Sequence, residues 1–344
     1  MLLFLSSGLF LGWSLGANDA ANVWGTAVGT RMVRFRTAAF ICALFVIAGA
    51  VAGGSGGAET LGKLAAIPTI AGAFTVALAA ALSVFLMTKA ALPVSTSQAI
   101  VGALLGWTFF ARKPVDFAVL GRIMGTWVFS PILTALLSIL LYFGVRFVLA
   151  RVRIHLIRMD ALTRFLLIGA GAFGSYSLGA NNIANVMGVF VPSQIFPNVN
   201  LGVVEITGVQ LLFGLGGLSI ALGVFTYSKQ VMTTVGSEIY RLNPVTAFIV
   251  VLSSAIVLFL FASEGLQEAM RSVGLPTFPL VPVSSSQSIV GGVIGIGVAQ
   301  GGHNIRYGVL GRIALGWLAT PVIAALVAFV VLYVMQNVFA LSVL

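Results

Sequence analysis

Charge is scarce in this chain, and the scarcity decides its class. Only 8% of the 344 residues are charged, and 8 of them are acids. A soluble domain needs close to about a quarter of its residues charged to cover its surface. Cysteine is nearly absent too. Cys42 stands alone in an apolar run, which excludes a disulfide within one chain and leaves packing as its expected role. There is no cysteine pair, histidine cluster or acid–histidine pair to run an enzyme reaction, and no nucleotide-binding motif to support direct ATP drive.

What fills the chain instead is apolar. The hydrophobic fraction is 59% and the mean hydropathy +1.11. Long apolar stretches at 40–52, 69–92, 117–150 and 201–227 repeat from end to end. Most reach the ~20 residues a helix needs to cross hydrocarbon. They do not alternate as the strands of a membrane barrel would. The expected fold is all-α and polytopic, with about 10–12 transmembrane or re-entrant helical segments by the spanning-length rule, placing a multi-pass protein in the cell membrane. Met1-Leu-Leu-Phe-Leu5 lacks the basic flank of a secretory signal and is expected to stay in the mature protein.

The net charge of +10 sits mainly in short connections: Arg31, Arg34 and Arg36, then Arg146, Arg151, Arg153, Arg158 and Arg164. Basic connections between apolar spans mark the cytoplasmic side, so no nucleic-acid partner is implied.

Internal duplication carries the most information. Ser14-Leu-Gly-Ala-Asn-Asp-Ala-Ala-Asn-Val23 returns as Ser177-Leu-Gly-Ala-Asn-Asn-Ile-Ala-Asn-Val186. Pro93-Val-Ser-Thr-Ser-Gln-Ala-Ile-Val-Gly102 returns as Pro282-Val-Ser-Ser-Ser-Gln-Ser-Ile-Val-Gly291. Val119-Leu-Gly-Arg-Ile123 returns intact as Val309-Leu-Gly-Arg-Ile313, each copy followed by Trp (Trp127, Trp317) and then Pro (Pro131, Pro321). Residues 1–150 therefore read as a first transmembrane repeat, 151–160 as a basic cytoplasmic linker and 161–344 as a second repeat. The connection after the first Asn motif is basic, whereas 191–200 after the second carries no charge. The two motif helices are thus expected to cross in opposite directions, the inverted-repeat plan of many secondary transporters.

Two motifs offer chemistry. Asn18, Asp19 and Asn22 interrupt an apolar run, and Asn181, Asn182 and Asn185 do so in the second half. A carboxylate at membrane depth costs about 2.5–3.5 kcal/mol on insertion scales, so Asp19 needs a partner. Asn18 and Asn22, four apart, share a helix face, and their oxygens with that of Asp19 suit a small hard cation such as Na+, expected at Asp19 and Asn18. Gly16 permits local unwinding, which would add backbone carbonyls. The plain alternative is that the amides bond between helices and the glycine only allows close packing.

The second motif reads as a broken helix. Pro93 interrupts helix continuity and places Ser95 or Thr96 as N-cap of a new half-helix. A helix N-terminus at membrane depth presents free N–H groups and a positive dipole end, which suits an anion. Ser95, Thr96, Ser97 and Gln98, with Ser284, Ser285, Ser286 and Gln287, are the candidate oxyanion ligands; ordinary capping is the alternative. Arg122, Arg312, Lys89 and Lys229 are expected to snorkel to the headgroups. Glu59, Glu205 and Glu238 fall at span edges, and His155 and His303 in loops.

At the duplicated motifs the chain resembles the inorganic phosphate transporter family, whose hallmark is Gly-Ala-Asn-Asp-x-Ala-Asn in each half. Gly16–Asn22 matches fully, and Gly179–Asn185 matches except at Asn182. The family's Pro-Val-Ser-Thr-(Ser/Thr) segment corresponds to Pro93–Ser97 and, with Ser285 for Thr, to Pro282–Ser286. The resemblance spans nearly the whole chain. It implies a homodimeric symporter of inorganic phosphate driven by Na+ or H+, with no other cofactor. It also implies that the Asn/Asp motifs help bind the cation while the Ser/Thr segments help bind the oxyanion. Asn182 in place of the motif aspartate, the absence of acids at 37–52 and 245–262, and Gln98 and Gln287 where relatives often carry His depart from the pattern.

A sulfate permease of the same family is the alternative. Hydrogen phosphate still carries a proton and prefers an acceptor, for which Asp19 is the one deeply placed acid; sulfate needs donors only. A channel fits less well, because opposed broken helices around a midplane site suit alternating access rather than a continuous pore.

Overall fold

The structure, a computed structural model, describes residues 2–89, 94–152, 155–200, 202, 205–235, 242–302 and 306–344, with the backbone alone for 233–235. Pro93, Arg153, Glu238 and His303, singled out above, lie outside the described residues.

Helices dominate because hydrocarbon leaves the backbone only helices or closed barrels, and these apolar runs lack the alternation of barrel strands. In chain order they are α1 (Ser6–Gly29), α2 (Phe35–Gly53), α3 (Ser55–Leu64), α4 (Ile70–Lys89), α5 (Thr96–Phe110), α6 (Phe117–Arg151), α7 (Leu156–Met187), α8 (Gly208–Thr226), α9 (Ser228–Val235), α10 (Pro244–Ala262), α11 (Glu264–Ser272), α12 (Ser285–Ala299) and α13 (Tyr307–Asn337). One short antiparallel ribbon pairs Val199–Asn200 with Glu205–Ile206.

Among the described residues, six helices (α2, α4, α6, α8, α10 and α13) are long and apolar enough to cross a membrane. The Asn-bearing α1 and α7 have the length, at 24 and 32 residues. At 15 residues each, α5 and α12 are apolar half-spans. The chain is a multi-pass membrane protein. Of the stretch 151–160, residues 156–160 already belong to α7, so Arg158 and Arg164 ride on helix rather than loop.

Local sequence sets several boundaries. Asn243 and Thr246 form a capping box with Pro244 in the first turn of α10, where proline's missing N–H has no helical partner to lose. Asp116 opens α6, its carboxylate accepting from the amides of Ala118 (2.9 Å) and Val119 (3.0 Å). His155 opens α7 by accepting from the Ile157 amide.

Layering follows from burial. The windows of α4 and α10 are 67% buried, whereas that of α6 is 11% buried. Leu136, Leu140 and Phe147 on α6, and Leu318, Leu326 and Val330 on α13, are exposed on the outside of the chain. α6 also outruns the bilayer: 35 residues at 1.5 Å each span about 52 Å against ~30 Å of hydrocarbon.

Packing exchanges elements between the two repeats. The half-helix α5 lies on α13, and α12 lies on α6; α1 packs on α8, and α2 on α7. Glycine makes the half-helix contacts possible. A Cβ on Gly102 would run into the Pro321 backbone of α13, and one on Gly291 into the Pro131 backbone of α6. Gly102→Ala or Gly291→Ala should therefore lower the melting temperature of the purified protein in detergent, reflecting an overpacking cost of about 1–3 kcal/mol. Gly121→Ala, whose Cβ meets nothing within 4 Å, should not lower it. Equal effects at all three positions would contradict the packing account.

Candidate functional site

Two helix starts meet at the centre of the molecule. Ser95 (φ −117°, ψ 117°) and Ser284 (φ −76°, ψ 112°) are extended N-caps; of the two candidates Ser95 and Thr96, Ser95 is the cap and Thr96 the first helical residue. Each hydroxyl accepts from the amide three residues on, Gln98 at 3.4 Å and Gln287 at 3.3 Å. Ser95 Oγ then donates to Ser284 Oγ at 2.9 Å, joining tips 189 residues apart in sequence. Ser286 Oγ lies 3.1 Å from Ser284 Oγ. The first-turn amides of Thr96, Ser97, Ser285 and Ser286 have no helical carbonyl four residues back. Each start also carries roughly half a positive charge from its helix dipole. Two like ends in contact repel, and a negative charge between them would relieve that repulsion.

The Asn motifs grip these tips. Asn181 on α7 takes both backbone groups of Val283, the residue before the Ser284 cap. Its Nδ2 donates to the carbonyl at 2.7 Å, and the Val283 amide donates to Oδ1 at 2.9 Å. Ser97 Oγ donates to the same carbonyl at 3.2 Å. Asn185 donates to Ser97 Oγ at 2.9 Å and to Asn182 Oδ1 at 3.0 Å. On α1, Asp19 Oδ2 accepts from Ser285 Oγ at 2.5 Å. Each motif helix thus touches a half-helix start, and Asp19, Asn181, Asn182 and Asn185 join one cluster with the Ser segments, whereas Asn18 bonds back to its own helix. Asp19, Asn181, Asn182, Asn185, Ser95, Thr96, Ser97, Gln98, Ser284, Ser285 and Gln287 are all buried. Asn18, Asn22 and Ser286 are half-buried.

One expectation fails. α1 and α7 run as unbroken helix through both motifs, so Gly16 does not unwind its helix or expose carbonyls. The physical reason is packing: a Cβ on Gly16 would strike the Ile220 carbonyl of α8, and one on Gly179 the Val46 carbonyl of α2. Asn18 correspondingly turns back on its own helix, donating to the Ser14 carbonyl at 3.0 Å.

A cavity of about 10 Å³ adjoins Asp19's partner, with Asn22, Ser254 and Ser285 as its polar lining and Leu178, Val251 and Leu258 among its apolar walls. It holds one water-sized sphere. Behind it, Ser288 Oγ accepts from Ser254 Oγ at 3.0 Å and lies 2.8 Å from Thr134 Oγ1. Asn22, Ser254 and Ser285 bring side-chain oxygens to the cavity, with the Asp19 carboxylate one hydrogen bond away at Ser285, and oxygen is the donor that hard cations take.

Val283, Ser254, Ser288 and Thr134 were missed in the sequence. Val283 acts through its backbone, which side-chain pattern does not register. Ser288 carried a signal, since it replaces Ala99 of the first copy. Several charged residues lie apart from the cluster. Arg122, Arg312, Lys89 and Lys229 are exposed. Glu59 pairs with Lys63 at 2.6 Å on the surface, and Glu205 is exposed.

Known proteins resemble this chain in sequence and in fold. A model described as the phosphate transporter family matches residues 15–160 and 150–328. A Methanocaldococcus jannaschii protein that carries a phosphate-permease name is 27% identical over 322 residues, covering 94% of this chain and 93% of its own. A Bacillus subtilis protein named as a sulfate permease is 29% identical over 327 residues, covering 93% and 84%. Among solved structures, one titled as a sodium-dependent phosphate transporter superposes with a TM-score of 0.76 at 25% identity, covering 97% of this chain and 98% of that one. With a duplicated motif set gathered into one buried cluster and a family match over most of its length, this chain belongs to the phosphate transporter family.

Proposed function

We propose that the protein is a secondary carrier of inorganic phosphate in the cell membrane, working as a homodimer and coupling uptake to Na+, with H+ as the alternative ion. The observation that carries this reading is the meeting of the α5 and α12 starts at Ser95 and Ser284. Two dipole ends with free amides and hydroxyls bind an oxyanion without any buried cation side chain. The family match and the sodium-dependent structural relative support the substrate and the ion.

Coupling follows from Ser285. Its hydroxyl bonds Asp19 while its amide sits in the first turn of α12. A cation at Asp19 neutralises a charge that is costly at this depth. It also takes oxygen from Ser285, Asn22 and Ser254 and so steadies the α12 start that receives the anion. Asn182 removes the matching carboxylate from the other half, so the cation side of the site is asymmetric. Alternating access requires the Ser95–Ser284 contact to part toward one side at a time. Sulfate is the competitor to measure, given the Bacillus subtilis relative.

In proteoliposomes, radiolabelled phosphate should accumulate with an inward Na+ gradient and be displaced poorly by sulfate; displacement by sulfate at equal concentration would reverse the substrate assignment. Asp19→Asn should remove the Na+ dependence while leaving the protein folded, and sodium-dependent uptake at the wild-type level would refute the cation role. Ser95→Ala combined with Ser284→Ala should raise the apparent substrate constant about tenfold, the worth of one or two net hydrogen bonds. An unaltered constant would mean that these serines only cap their helices.

A further inference from the structure

The Trp of each Val-Leu-Gly-Arg-Ile motif has no part in the cluster described above, although it is duplicated with the same spacing in both halves. Helix register gives it one. Gly291 of α12 rests on Pro131 of α6, and Gly295 rests on Ala135. Both contacts advance by four residues together, so α6 and α12 run parallel and in step. One turn back, Trp127 lies level with Gln287. The other half repeats this: Gly102 rests on Pro321 and Gly106 on Ala325, which brings Trp317 level with Gln98.

Hydrogen bonding points to the same pairs. Trp127 Nε1 and Trp317 Nε1 are enclosed donors with no acceptor. Gln287 Oε1 and Gln98 Oε1 are enclosed acceptors with no donor. The two glutamines are 4% and 3% exposed. Buried polar groups of this kind are normally paired. Here one unmatched donor and one unmatched acceptor stand at the same height on neighbouring helices, twice. The terminal carboxamide torsion is soft, so the amide can turn to its partner without leaving a rotamer well.

We propose that Trp127 and Trp317 are positioning residues for the oxyanion site. As the anion binds, each indole N–H takes up the side-chain oxygen of the adjoining glutamine, Gln287 for Trp127 and Gln98 for Trp317, and so turns that glutamine's NH2 toward the anion. Both glutamines occupy the third position of their half-helix, in the turn whose free amides face the substrate. With its oxygen engaged, each carboxamide offers donors only, which is what a multiply charged oxyanion takes. This rests on the proposed carrier reading.

The test is phosphate uptake kinetics in proteoliposomes for Trp127→Phe, Gln287→Ala, both together, and the crossed pair Trp127→Phe with Gln98→Ala. Each single change should raise KM about three- to tenfold, the range of one net hydrogen bond, with kcat little altered. Trp127→Phe should add nothing once Gln287 is Ala, whereas the crossed pair should multiply. A wild-type KM for Trp127→Phe, a loss confined to kcat, or equal multiplication in both double variants would overturn the pairing. Wild-type protein that takes up no phosphate would instead sink the carrier reading. Should the Phe variant fail to fold, the indole N–H resonances of unsubstituted protein decide: two of the five tryptophans should shift downfield when phosphate is added, and no shift would overturn the proposal.

Discussion

Two positive helix ends pressed together in a low-dielectric interior are the constraint around which this molecule is organised. Ser95 and Ser284 bridge them, but a hydroxyl bridge leaves most of the first-turn amides and both dipoles uncompensated. The surrounding structure holds the ends in place. Asn181 fixes the backbone just before α12, Asn185 holds Ser97, and Asp19 holds Ser285. Each restraint comes from a long helix that itself lies in packed protein, so the two tips are held facing each other until the carrier opens. Such a frame leaves unsatisfied first-turn amides on both starts beside the Ser95–Ser284 contact, which is where an anion gains most.

Close packing makes this geometry affordable in a membrane, where helices gain little from apolar burial against one another and depend on fit. Gly102 and Gly291 let each half-helix lie directly on a proline carbonyl of the opposite repeat, and Gly16 and Gly179 let the Asn helices lie on α8 and α2. Prolines 131 and 321 sit inside long helices. The same exchange of elements between repeats means that neither half can build the site alone.

Much of this was legible in sequence for identifiable reasons. Long non-alternating apolar runs point to helices in hydrocarbon, and the pair Ser95 and Thr96 stood out as cap candidates because a hydroxyl after a helix interruption satisfies a free amide. Duplication singled out the Asn and Ser segments before any coordinates. What stayed hidden is non-local. Nothing in the motif at 16–22 says that Asp19 reaches Ser285 rather than Ser97, and Val283 contributes backbone atoms any residue would supply. Gly16 misled because one residue type serves both unwinding and close approach; only the Ile220 carbonyl across the interface decides between them. The tryptophans behaved similarly: their spacing was visible, but their level beside Gln98 and Gln287 emerges only from the parallel register of α6 with α12 and α13 with α5.

The central claim is that a single anion is held by both helix starts at once. Dipolar coupling between the phosphorus of bound phosphate and backbone amide nitrogens, measured by solid-state magnetic resonance on protein in bilayers, tests it directly. Ser97 and Ser286 should both lie within about 4 Å of the phosphorus, the span of one N–H···O bond plus a P–O bond. Coupling to one helix start alone, or to neither, would contradict the account.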